Sequence, residues 1–396
     1  MISVSQKNNV LLRLSEIVLQ NKSQIIKANL QDRESFPDMD ASLQDRLMVD
    51  EKKIEGMSQS LKDVAGMIDP VGKILYEYTR EDGLKIQNRT VPFGKILIIY
   101  ESRPDVTIEA AATAFKAGNR ILLKGGKEAY HTNILLTQLW HEALSENMLD
   151  SSYVKYLNLT HEETQKLIVD NSHHVDLIIP RGGDNLIRFV IENTTVPVIV
   201  SGRGNNFLYV DADSDFDMAV KIIINGKSRI SVCNALDKVL IDSNIPNLQE
   251  KIKQLVNELK ANNIKVIGDQ KICSLNSCIE EVHDEKVLYE EFLAPKIYLS
   301  IVTGLNKAIE IINTYSGGHS STIVSNDNKN ADAFMEQVDC AAVYHNASTR
   351  FTDGGQFGVG AEIAISTQKL HFLGPLGAQQ LVTNKWFVYG DGHIRL

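Results

Sequence analysis

Lys95-Ile96-Leu97-Ile98-Ile99-Tyr100 begins the segment, residues 95–126, that determines the architecture of this chain. A continuous apolar run of this kind is typical of a strand buried on both faces of a parallel sheet. A helical stretch follows at 106–117, and a second apolar run, Arg120 to Lys124, ends at two glycines. Strand, helix and strand in this order predict a βαβ unit of a nucleotide-binding α/β domain.

The alternation of helices and strands continues on both sides of this segment. Helical periodicity dominates the first ~70 residues, and Asp82-Gly83 predicts a hairpin between Tyr76 and Pro92. A helix at 132–142 and strands at 175–179 and 196–200 would complete the first series. A second α/β series is predicted after Asn234, with elements at 238–241, 248–261, 295–301, 307–315, 321–325, 331–338, 341–345 and, as a last strand, 385–389.

Composition and charge exclude several classes of protein. The chain has 396 residues, 43% hydrophobic and 23% charged, as in a globular protein large enough for two domains. Its formal net charge of −9 argues against nucleic acid or an anionic membrane as principal partner. We find no signal peptide or membrane-spanning run, and the four cysteines fit neither a disulfide framework nor a zinc site. We therefore expect a cytoplasmic, reduced protein without a bound metal.

The thiol of Cys233 stands between a helix predicted at 216–225 and a strand predicted at 237–242. Its neighbours are small or polar, and Lys227 and Arg229 are close in sequence, whereas structural cysteines usually lie among branched apolar residues. Nearby positive charge favours the nucleophilic thiolate. Cys233 is therefore the candidate nucleophile, and a small apolar filler is the alternative.

Five motifs cover nearly the whole chain. They are Tyr100-Glu101-Ser102-Arg103-Pro104-Asp105-Val106-Thr107, Leu123-Lys124-Gly125-Gly126-Lys127-Glu128, Ile179-Pro180-Arg181-Gly182-Gly183, Ser231-Val232-Cys233-Asn234-Ala235 and Asn346-Ala347-Ser348-Thr349-Arg350-Phe351-Thr352-Asp353-Gly354-Gly355-Gln356-Phe357-Gly358. In content and order they resemble the aldehyde dehydrogenase superfamily and, within it, the γ-glutamyl phosphate reductases. The last motif is long and highly specific, whereas a single glycine pair would be weak evidence.

The resemblance implies an α/β fold of the aldehyde dehydrogenase kind. It divides the chain into a Rossmann-like cofactor domain at 1–225, an α/β catalytic domain at 226–345, and a return to the cofactor domain at 346–396. The hairpin at 76–92 and the C-terminal strand would form a small β flap for oligomerisation. Because an unpaired strand edge recruits a partner chain, we expect a homodimer or homotetramer.

Lys124 ends a strand at the sheet edge where open α/β sheets bind ligands. In the family that this chain resembles, the matching lysine contacts the adenosine ribose of the cofactor. Three residues later the wider superfamily has a glutamate that binds the ribose 2′-hydroxyl, but this chain has Lys127. An ammonium attracts a 2′-phosphate that a carboxylate would repel, so we predict NADPH over NADH. A solvated lysine beside Glu128 is the alternative.

Two further places are assigned to the cofactor. Gly182 and Gly183 lie between a predicted strand and a predicted helix, so their amides could approach a pyrophosphate, and simple loop closure is the alternative. Glu291 matches the superfamily glutamate that holds the nicotinamide ribose. The complete set of cofactor residues implied by the resemblance is Lys124, Gly125, Gly126, Lys127, Gly182, Gly183, Ser201, Gly202 and Glu291.

The chain lacks the base of hydrolytic aldehyde dehydrogenases. In those enzymes a glutamate just before a Gly-Gly pair activates water against the thioester, and its place here falls on Ile199. An enzyme that oxidises aldehydes to acids needs such a base, whereas activated water would waste the thioester of a reductase. The absence therefore favours reduction of an acyl phosphate.

The resemblance implies a specific reaction. Cys233 attacks L-glutamyl 5-phosphate and phosphate leaves, the thioester accepts a hydride from NADPH, and the hemithioacetal releases L-glutamate 5-semialdehyde. The aldehyde would cyclise to pyrroline-5-carboxylate, which places a glutamate-5-semialdehyde dehydrogenase of this kind in proline biosynthesis. An association with glutamate 5-kinase, which makes the labile substrate, is left open.

Substrate recognition requires a cation for the α-carboxylate. The Ser348-Thr349-Arg350 sequence lies in a glycine-punctuated loop, and a guanidinium binds carboxylate through two parallel hydrogen bonds. Arg103 could instead bind the acyl phosphate. For each arginine the alternative is a structural ion pair.

Asp105 occupies the place where the family commonly has the asparagine of the oxyanion hole. An ionised carboxylate cannot donate a hydrogen bond and would repel an oxyanion. Either Asp105 is protonated, or backbone amides near Cys233 stabilise the oxyanion, or Asp105 has another role. We favour the last, in which it binds the substrate α-ammonium or pairs with Arg103.

Other reactive side chains receive no role. His173, His174 and His319 are expected on the surface or in loops. The remaining cysteines, Cys273, Cys278 and Cys340, are expected to be structural.

Two rival interpretations stay open. A coenzyme-A-acylating aldehyde dehydrogenase also lacks the hydrolytic base, but it requires coenzyme A and is insensitive to phosphate. A catalytically silent scaffold of the same fold needs no activated thiol, and Asp105 keeps this interpretation open. A phosphate-dependent reverse assay distinguishes the first rival, and alkylation of Cys233 at neutral pH distinguishes the second.

Overall fold

The computed structural model describes residues 2–39, 41–230 and 232–395, and the chain forms two compact units. Ser231, which belongs to one of the sequence motifs, lies outside the described residues. The first unit consists of Met1–Val200, Gly358–Ala364 and Leu376–Leu396, and the second of Ser201–Phe357 and Ile365–Pro375.

A four-stranded parallel sheet forms the centre of the first unit. Its strands, in spatial order, are Val154–Tyr156, Arg120–Lys124, Lys95–Tyr100 and Leu177–Arg181. The side chains of Lys95–Tyr100 alternate between two cores, with Ile96 and Ile98 on one face and Leu97 and Ile99 on the other. Burial on both faces explains the continuous apolar run, and the predicted βαβ unit is confirmed.

Helices pack around this sheet. The helix predicted at 132–142 extends over Tyr130–Glu146, because the buried Asp32 carboxylate accepts hydrogen bonds from the amides of His131 (2.9 Å) and Thr132 (2.8 Å) in its first turn. Asp32 is distant in sequence, so local patterns could not reveal this cap. The helices of the unit are Val4–Gln20, Lys22–Ser35, Ala41–Leu47, Glu51–Gly66, Val106–Lys116, Tyr130–Glu146, His161–Asp170 and Asp184–Asn193.

Residues 196–200, predicted as a strand, do not form one. Their pairing is limited to a single bridge between Ile178 and Val198. Pro197 has no amide hydrogen to donate to a neighbouring strand. The pairing with the strand Leu177–Arg181 ends where the amide of Ile199 donates to the carbonyl of Ile178 at 3.0 Å. That prediction was wrong.

A three-stranded antiparallel sheet also belongs to the first unit. Its strands, in spatial order, are Ile74–Thr79, Lys85–Pro92 and Val382–Tyr389. The hairpin turns at Gly83, whose φ of +89° is in the region that favours glycine. Every residue of Ile74–Thr79 is exposed, including Leu75 and Tyr76. The predicted hairpin and C-terminal strand therefore meet in one small sheet with an apolar, exposed edge.

The second unit contains a seven-stranded parallel sheet. Its spatial order is Glu280–Glu281, Lys265–Gly268, Lys296–Val302, Leu236–Asp242, Asn206–Val210, Ser320–Val324 and Ala342–His345. Asn206–Val210 was not predicted, yet it is a central strand between Leu236–Asp242 and Ser320–Val324. The second unit includes residues 201–225, 346–357 and 365–375, which the sequence division assigned to the cofactor domain.

The helices of the second unit surround this sheet. Two short strands include the positions where the chain changes from one unit to the other. The helices are Phe216–Gly226, Leu248–Ala261, Gln270–Leu275, Leu305–Tyr315 and Asn328–Gln337, and the short strands are Ala364–Ser366 and Gly374–Leu376. Among the described residues, none of the helices has the length and apolar character needed to cross a membrane.

Candidate active site

Cys233 lies in a turn between the helix Phe216–Gly226 and the strand Leu236–Asp242, as the sequence predicts. Its side chain is half-buried, and all four cysteines of the chain are thiols. The Asp215 carboxylate accepts from the amide of Met218 and caps the preceding helix. The nucleophile candidate is thus held between two regular elements.

Asn206 fixes the backbone around Cys233. Its side-chain amide donates to the carbonyl oxygens of Cys233 and Ala235, each at 2.7 Å, and to that of Gly204 at 3.0 Å. The side chain is fully buried, so water does not compete for these bonds. Asn206 therefore restrains the main chain on both sides of Asn234.

Gly204 packs directly against the nucleophile. A Cβ at this position would overlap the carbonyl oxygen of Cys233 and stand 2.5 Å from its Cα. Only glycine permits this approach. Sequence reasoning assigned Ser201 and Gly202 and missed both Gly204 and Asn206, although a glycine and two asparagines directly before an apolar run were a visible signal.

Asn234 joins the Cys233 segment to the Ser348-Thr349-Arg350 motif. Its side-chain amide donates to the carbonyls of Thr352 (3.0 Å) and Arg350 (3.2 Å), and its own carbonyl accepts from the Thr349 hydroxyl at 2.8 Å. The Arg350 guanidinium donates to Asn234 Oδ1. Ser348 caps the short helix Thr349–Phe351 by accepting from the Arg350 amide. The structure thus brings Cys233 and these three predicted residues together.

A polar pocket of about 340 Å³ lies beside this contact. Arg229, Asn234 and Arg350 line it together with Val232, the neighbour of Cys233. Burial lowers the pKa of Arg350, and the positive charge of Arg229 lowers it further. The repulsion between the two guanidinium groups is partly offset by Asp353, which also lines the pocket, and a bound anion would relieve it further.

Asp105 forms an ion pair with Lys53 (3.6 Å), whereas the sequence suggested Arg103 as its partner. One turn later on the same helix is Glu109, which sequence reasoning missed. Burial raises the pKa of Glu109 to about 7, and the charge of Asp105 contributes to the increase. The positive charges of Arg181, Lys53 and Arg103 oppose it. The spacing of four residues on a helix was the signal that could have linked the two acids.

A cavity of about 1020 Å³ in the first unit contains the Lys124-Gly125-Gly126-Lys127 sequence in its wall. Tyr100 and Lys124 reach it from the carboxyl ends of two neighbouring parallel strands, where such sheets bind ligands. Lys124 Nζ donates to the carbonyl of Gly125 at 2.7 Å, and burial lowers the pKa of this lysine. A Cβ at Gly125 would overlap the side chain of Asn133, so this part of the wall requires glycine for close packing.

Lys127 and Glu128 are adjacent in sequence, but their environments differ. Lys127 Nζ lies 5.8 Å from the ring centre of Phe36, within cation–π range, and lines the cavity. The Glu128 carboxylate accepts from the amide (2.7 Å) and hydroxyl (2.8 Å) of Ser102 and is absent from the cavity wall. The acid that could have neutralised Lys127 is therefore engaged elsewhere.

Gly182 and Gly183 lie between the strand Leu177–Arg181 and the helix Asp184–Asn193, as predicted. The amide of Gly183 donates to a carboxylate oxygen of Glu101 at 3.1 Å, and a Cβ at Gly182 would stand 2.7 Å from the Glu101 carboxyl carbon. Glu101 also lines the cavity. An anionic group thus already lies at this helix N-terminus, where we predict a pyrophosphate.

The other predicted cofactor residues belong to the second unit. Ser201 forms an antiparallel bridge with Ser366, and the backbone of Gly202 packs against Thr367. Glu291 is half-buried in a loop just before the strand Lys296–Val302. Their roles stay predictions.

His319 lies in the loop before the strand Ser320–Val324, so a loop position was correctly expected, but it is fully buried and not on the surface. Burial lowers its pKa to about 4. Its Nδ1 shares a hydrogen bond with the Ser320 hydroxyl (2.7 Å), which shares another with the Thr352 hydroxyl (2.7 Å). Its burial was missed because the residues around it are small or polar and give no local signal of a buried position. His173 and His174 do lie in a loop, as expected.

The chain is similar to known proteins over its whole length. The Aldehyde dehydrogenase family matches residues 2–287 and 278–361. The γ-glutamyl phosphate reductase of Clostridium botulinum (strain Eklund 17B / Type B) is 41% identical over 396 residues, covering 99% of this chain and 95% of that protein. The protein of the same name from Caldicellulosiruptor bescii is 41% identical over 400 residues, covering 100% and 95%.

Solved structures show the same similarity. The crystal structure of γ-glutamyl phosphate reductase from Thermotoga maritima has a TM-score of 0.94 and 39% identity, covering 100% of this chain and 95% of that one. An acetylating aldehyde dehydrogenase from Geobacillus thermoglucosidasius has a TM-score of 0.71 and 16% identity, covering 100% and 94%. The second likeness concerns the fold alone.

Substitution of Gly204 tests the packing around Cys233. In Gly204→Ala the added methyl group must displace the Cys233 carbonyl, so alkylation of this thiol by iodoacetamide is expected to slow by about tenfold or more. Peptide mass spectrometry, which distinguishes the four cysteines, measures the rate. Gly56→Ala is the control, because nothing lies within 4 Å of its Cβ. An unchanged rate at Cys233 in Gly204→Ala would contradict the proposed packing.

Glu109 predicts a pH-dependent stability. Its folded-state pKa of about 7 exceeds the ordinary value of 4.5, so stability falls as pH rises through this window, because the folded state binds the extra proton. Glu109→Gln changes the free energy of unfolding at each pH. This change should be more stabilising at about pH 8 than at about pH 4, by about 3 kcal/mol. Urea denaturation measures both values. The exposed Glu142→Gln should show no such difference, and equal effects of Glu109→Gln at both pH values would refute the assignment.

Proposed function

The chain belongs to the aldehyde dehydrogenase family and, within it, to the γ-glutamyl phosphate reductases, and on that basis we propose how it works. It is an oxidoreductase that acts on a small molecule, with a reductase role in proline biosynthesis. We propose that it reduces L-glutamyl 5-phosphate to L-glutamate 5-semialdehyde with NADPH, through a thioester on Cys233.

The restrained backbone of Cys233 is the observation that supports this proposal most. Asn206 and Gly204 fix the main chain at the thiol, and a pocket with two arginines lies beside it. The Cys233 sulfur forms a bond to the C5 carbonyl carbon, and the bond to the phosphate oxygen breaks, so that phosphate leaves with the electron pair. After reduction of the thioester, the carbon–sulfur bond breaks, the thiolate is regenerated and the aldehyde is released.

The arginine pocket suits the charge of this substrate. L-glutamyl 5-phosphate carries an anionic α-carboxylate and an anionic phosphate, and Arg350 and Arg229 offer two cations. We assign the α-carboxylate to Arg350, because Asn234 already orients its guanidinium. Arg229 then faces the acyl phosphate. The role first expected for Arg103 stays a prediction.

The cavity of the first unit fits a dinucleotide. Members of this family use a nicotinamide cofactor, which supplies a hydride when bound. Lys124 would hold the adenosine ribose, and Lys127 would hold a 2′-phosphate. The Glu128 carboxylate accepts hydrogen bonds from Ser102 and does not line the cavity. Lys127 is then the charged side chain beside a 2′-phosphate, which supports a preference for NADPH over NADH.

The three-stranded sheet supports an oligomer. Its strands Ile74–Thr79 and Val382–Tyr389 form its two edges and expose apolar side chains such as Tyr76 and Trp386. Exposed apolar edges of this kind recruit a second copy of the chain. We propose a homodimer or homotetramer, and four cysteines present as thiols support the cytoplasm as its compartment. Association with glutamate 5-kinase stays a prediction from the resemblance.

The reverse reaction tests the proposed function. With pyrroline-5-carboxylate, reduction of NADP⁺ should require phosphate, because phosphate must release the acyl group from the thiol. Cys233→Ser should lose activity by about 10⁴-fold or more, since a hydroxyl is a poor nucleophile at neutral pH, and Cys278→Ser, at an exposed thiol, is the control. Turnover that depends on coenzyme A, or an active Cys233→Ser protein, would refute the proposal.

Lys127 tests the cofactor preference. Lys127→Glu removes the cation facing a 2′-phosphate and adds a repulsive charge, so kcat/KM for NADPH should fall by about 10-fold to 100-fold with little effect on NADH. Steady-state kinetics with both cofactors measure the ratio. The exposed Lys62→Glu has the same change of charge and should leave the ratio unaltered. An unchanged ratio in Lys127→Glu would contradict the assignment.

A further inference from the structure

Three charged side chains, Lys227, Asp237 and Lys238, are buried in the second unit near Cys233. We propose that Asp237 is a positioning residue that holds the nucleophile loop with one carboxylate oxygen and the loop of Glu291 with the other. Lys227 and Lys238 complete the two attachments. The inference rests on the proposed function, because that function gives Cys233 and Glu291 their roles.

The first attachment closes the nucleophile loop. Lys227 directly follows the helix Phe216–Gly226, and its Nζ donates to Asp237 Oδ1 at 2.5 Å. The side chains of Lys227 and Asp237 are 0% and 2% exposed, so this ion pair is shielded from water. The residues between the two partners form a closed loop that contains Cys233. Breaking a buried pair leaves an uncompensated charge, and the loop is therefore strongly held.

The second attachment holds the main chain beside Glu291. The amide of Phe292, the next residue, donates to Asp237 Oδ2 at 2.8 Å. The side chain of Phe292 is also buried. A shift of the Glu291 loop must therefore break the contact with the same carboxylate that holds Lys227.

Lys238 ties the Glu291 loop a second time. Its Nζ donates to the main-chain carbonyl of Glu290 and to Asn205 Oδ1 (2.6 Å), and it lies 3.8 Å from the ring centre of Phe292. Asn205 in turn donates to the carbonyl of Leu288 at 2.6 Å. Lys238 therefore holds the Glu291 loop through contacts that do not involve the ion pair between Lys227 and Asp237.

The cost of burying these charges argues for a positioning role. Buried ion pairs are often no more stable than apolar side chains of the same size, because desolvation offsets their attraction. Burial lowers the pKa of Lys238 to about 7, and Lys227 and Lys296 add to the decrease while Asp237 and Glu290 oppose it. An apolar cluster could fill this space, but it could not hold two loops by their hydrogen-bonding groups.

Three variants separate the two attachments. Lys227→Met removes the partner of Oδ1, and Lys238→Met removes the donor to Glu290. In Asp237→Asn the side-chain amide has one carbonyl oxygen, so it can accept from only one of the two loops. The readouts are alkylation of Cys233 by iodoacetamide, followed by peptide mass spectrometry, and the Kd for NADPH from fluorescence titration.

The expected results differ between the variants. Lys227→Met should slow alkylation about tenfold and leave the Kd within about twofold, whereas Lys238→Met should raise the Kd about tenfold and leave alkylation within about twofold. Asp237→Asn should disturb at least one readout by about tenfold. Lys253→Met, at an exposed position on the helix Leu248–Ala261, is the control and should change neither readout.

Equal changes of both readouts in Lys227→Met and Lys238→Met would overturn the inference, since a general loss of stability predicts that result. So would unchanged readouts in Asp237→Asn. Where a methionine variant fails to fold, the corresponding Lys227→Arg or Lys238→Arg variant takes its place and is judged by the same difference between the two readouts. Neither readout requires turnover. A failure of the proposed function would instead appear as a wild-type protein that does not bind NADPH or whose Cys233 is unreactive.

Discussion

Three hydrogen bonds from the side-chain amide of Asn206 restrain the backbone around Cys233, and the candidate site depends on them. They connect a strand of the central sheet to a turn that has no regular structure of its own. Gly204 allows the close approach, and Asn234 extends the network to the loop of Arg350. A thiol on an otherwise irregular turn thereby acquires the fixed position that covalent catalysis requires.

The distribution of charge is as informative as the net value. The chain is acidic overall, with a formal net charge of −9, yet in each candidate ligand site two cations outnumber a single carboxylate, Asp353 in one and Glu101 in the other. Arg229 and Arg350 serve the pocket beside Cys233, and Lys124 and Lys127 serve the cavity of the first unit. Both proposed ligands are anions. Local potential, rather than total charge, therefore determines what this protein can bind.

Sequence patterns predicted the elements whose stability is local and missed the contacts that are distant along the chain. The strand Lys95–Tyr100 and the junction at Cys233 follow from apolar runs and periodicity, and both are confirmed. The strand Asn206–Val210 was missed although residues 207–210 form an apolar run, whereas the role of Asn206 depends on its contact with Cys233, which is distant along the chain. The burial of His319 was missed because the loop that contains it packs inside the protein, next to the central strand Ser320–Val324. Such features arise from tertiary contacts, which no local window contains.

The thioester on Cys233 is the central claim, and trapping it is the most direct test. The protein is incubated with pyrroline-5-carboxylate and NADP⁺ without phosphate, quenched in acid, and digested for mass spectrometry. The account predicts one glutamyl group on the peptide that contains Cys233, and its removal by hydroxylamine or by added phosphate before the quench. NADPH formation with an unmodified Cys233 peptide, or with the glutamyl group on another residue, would contradict it.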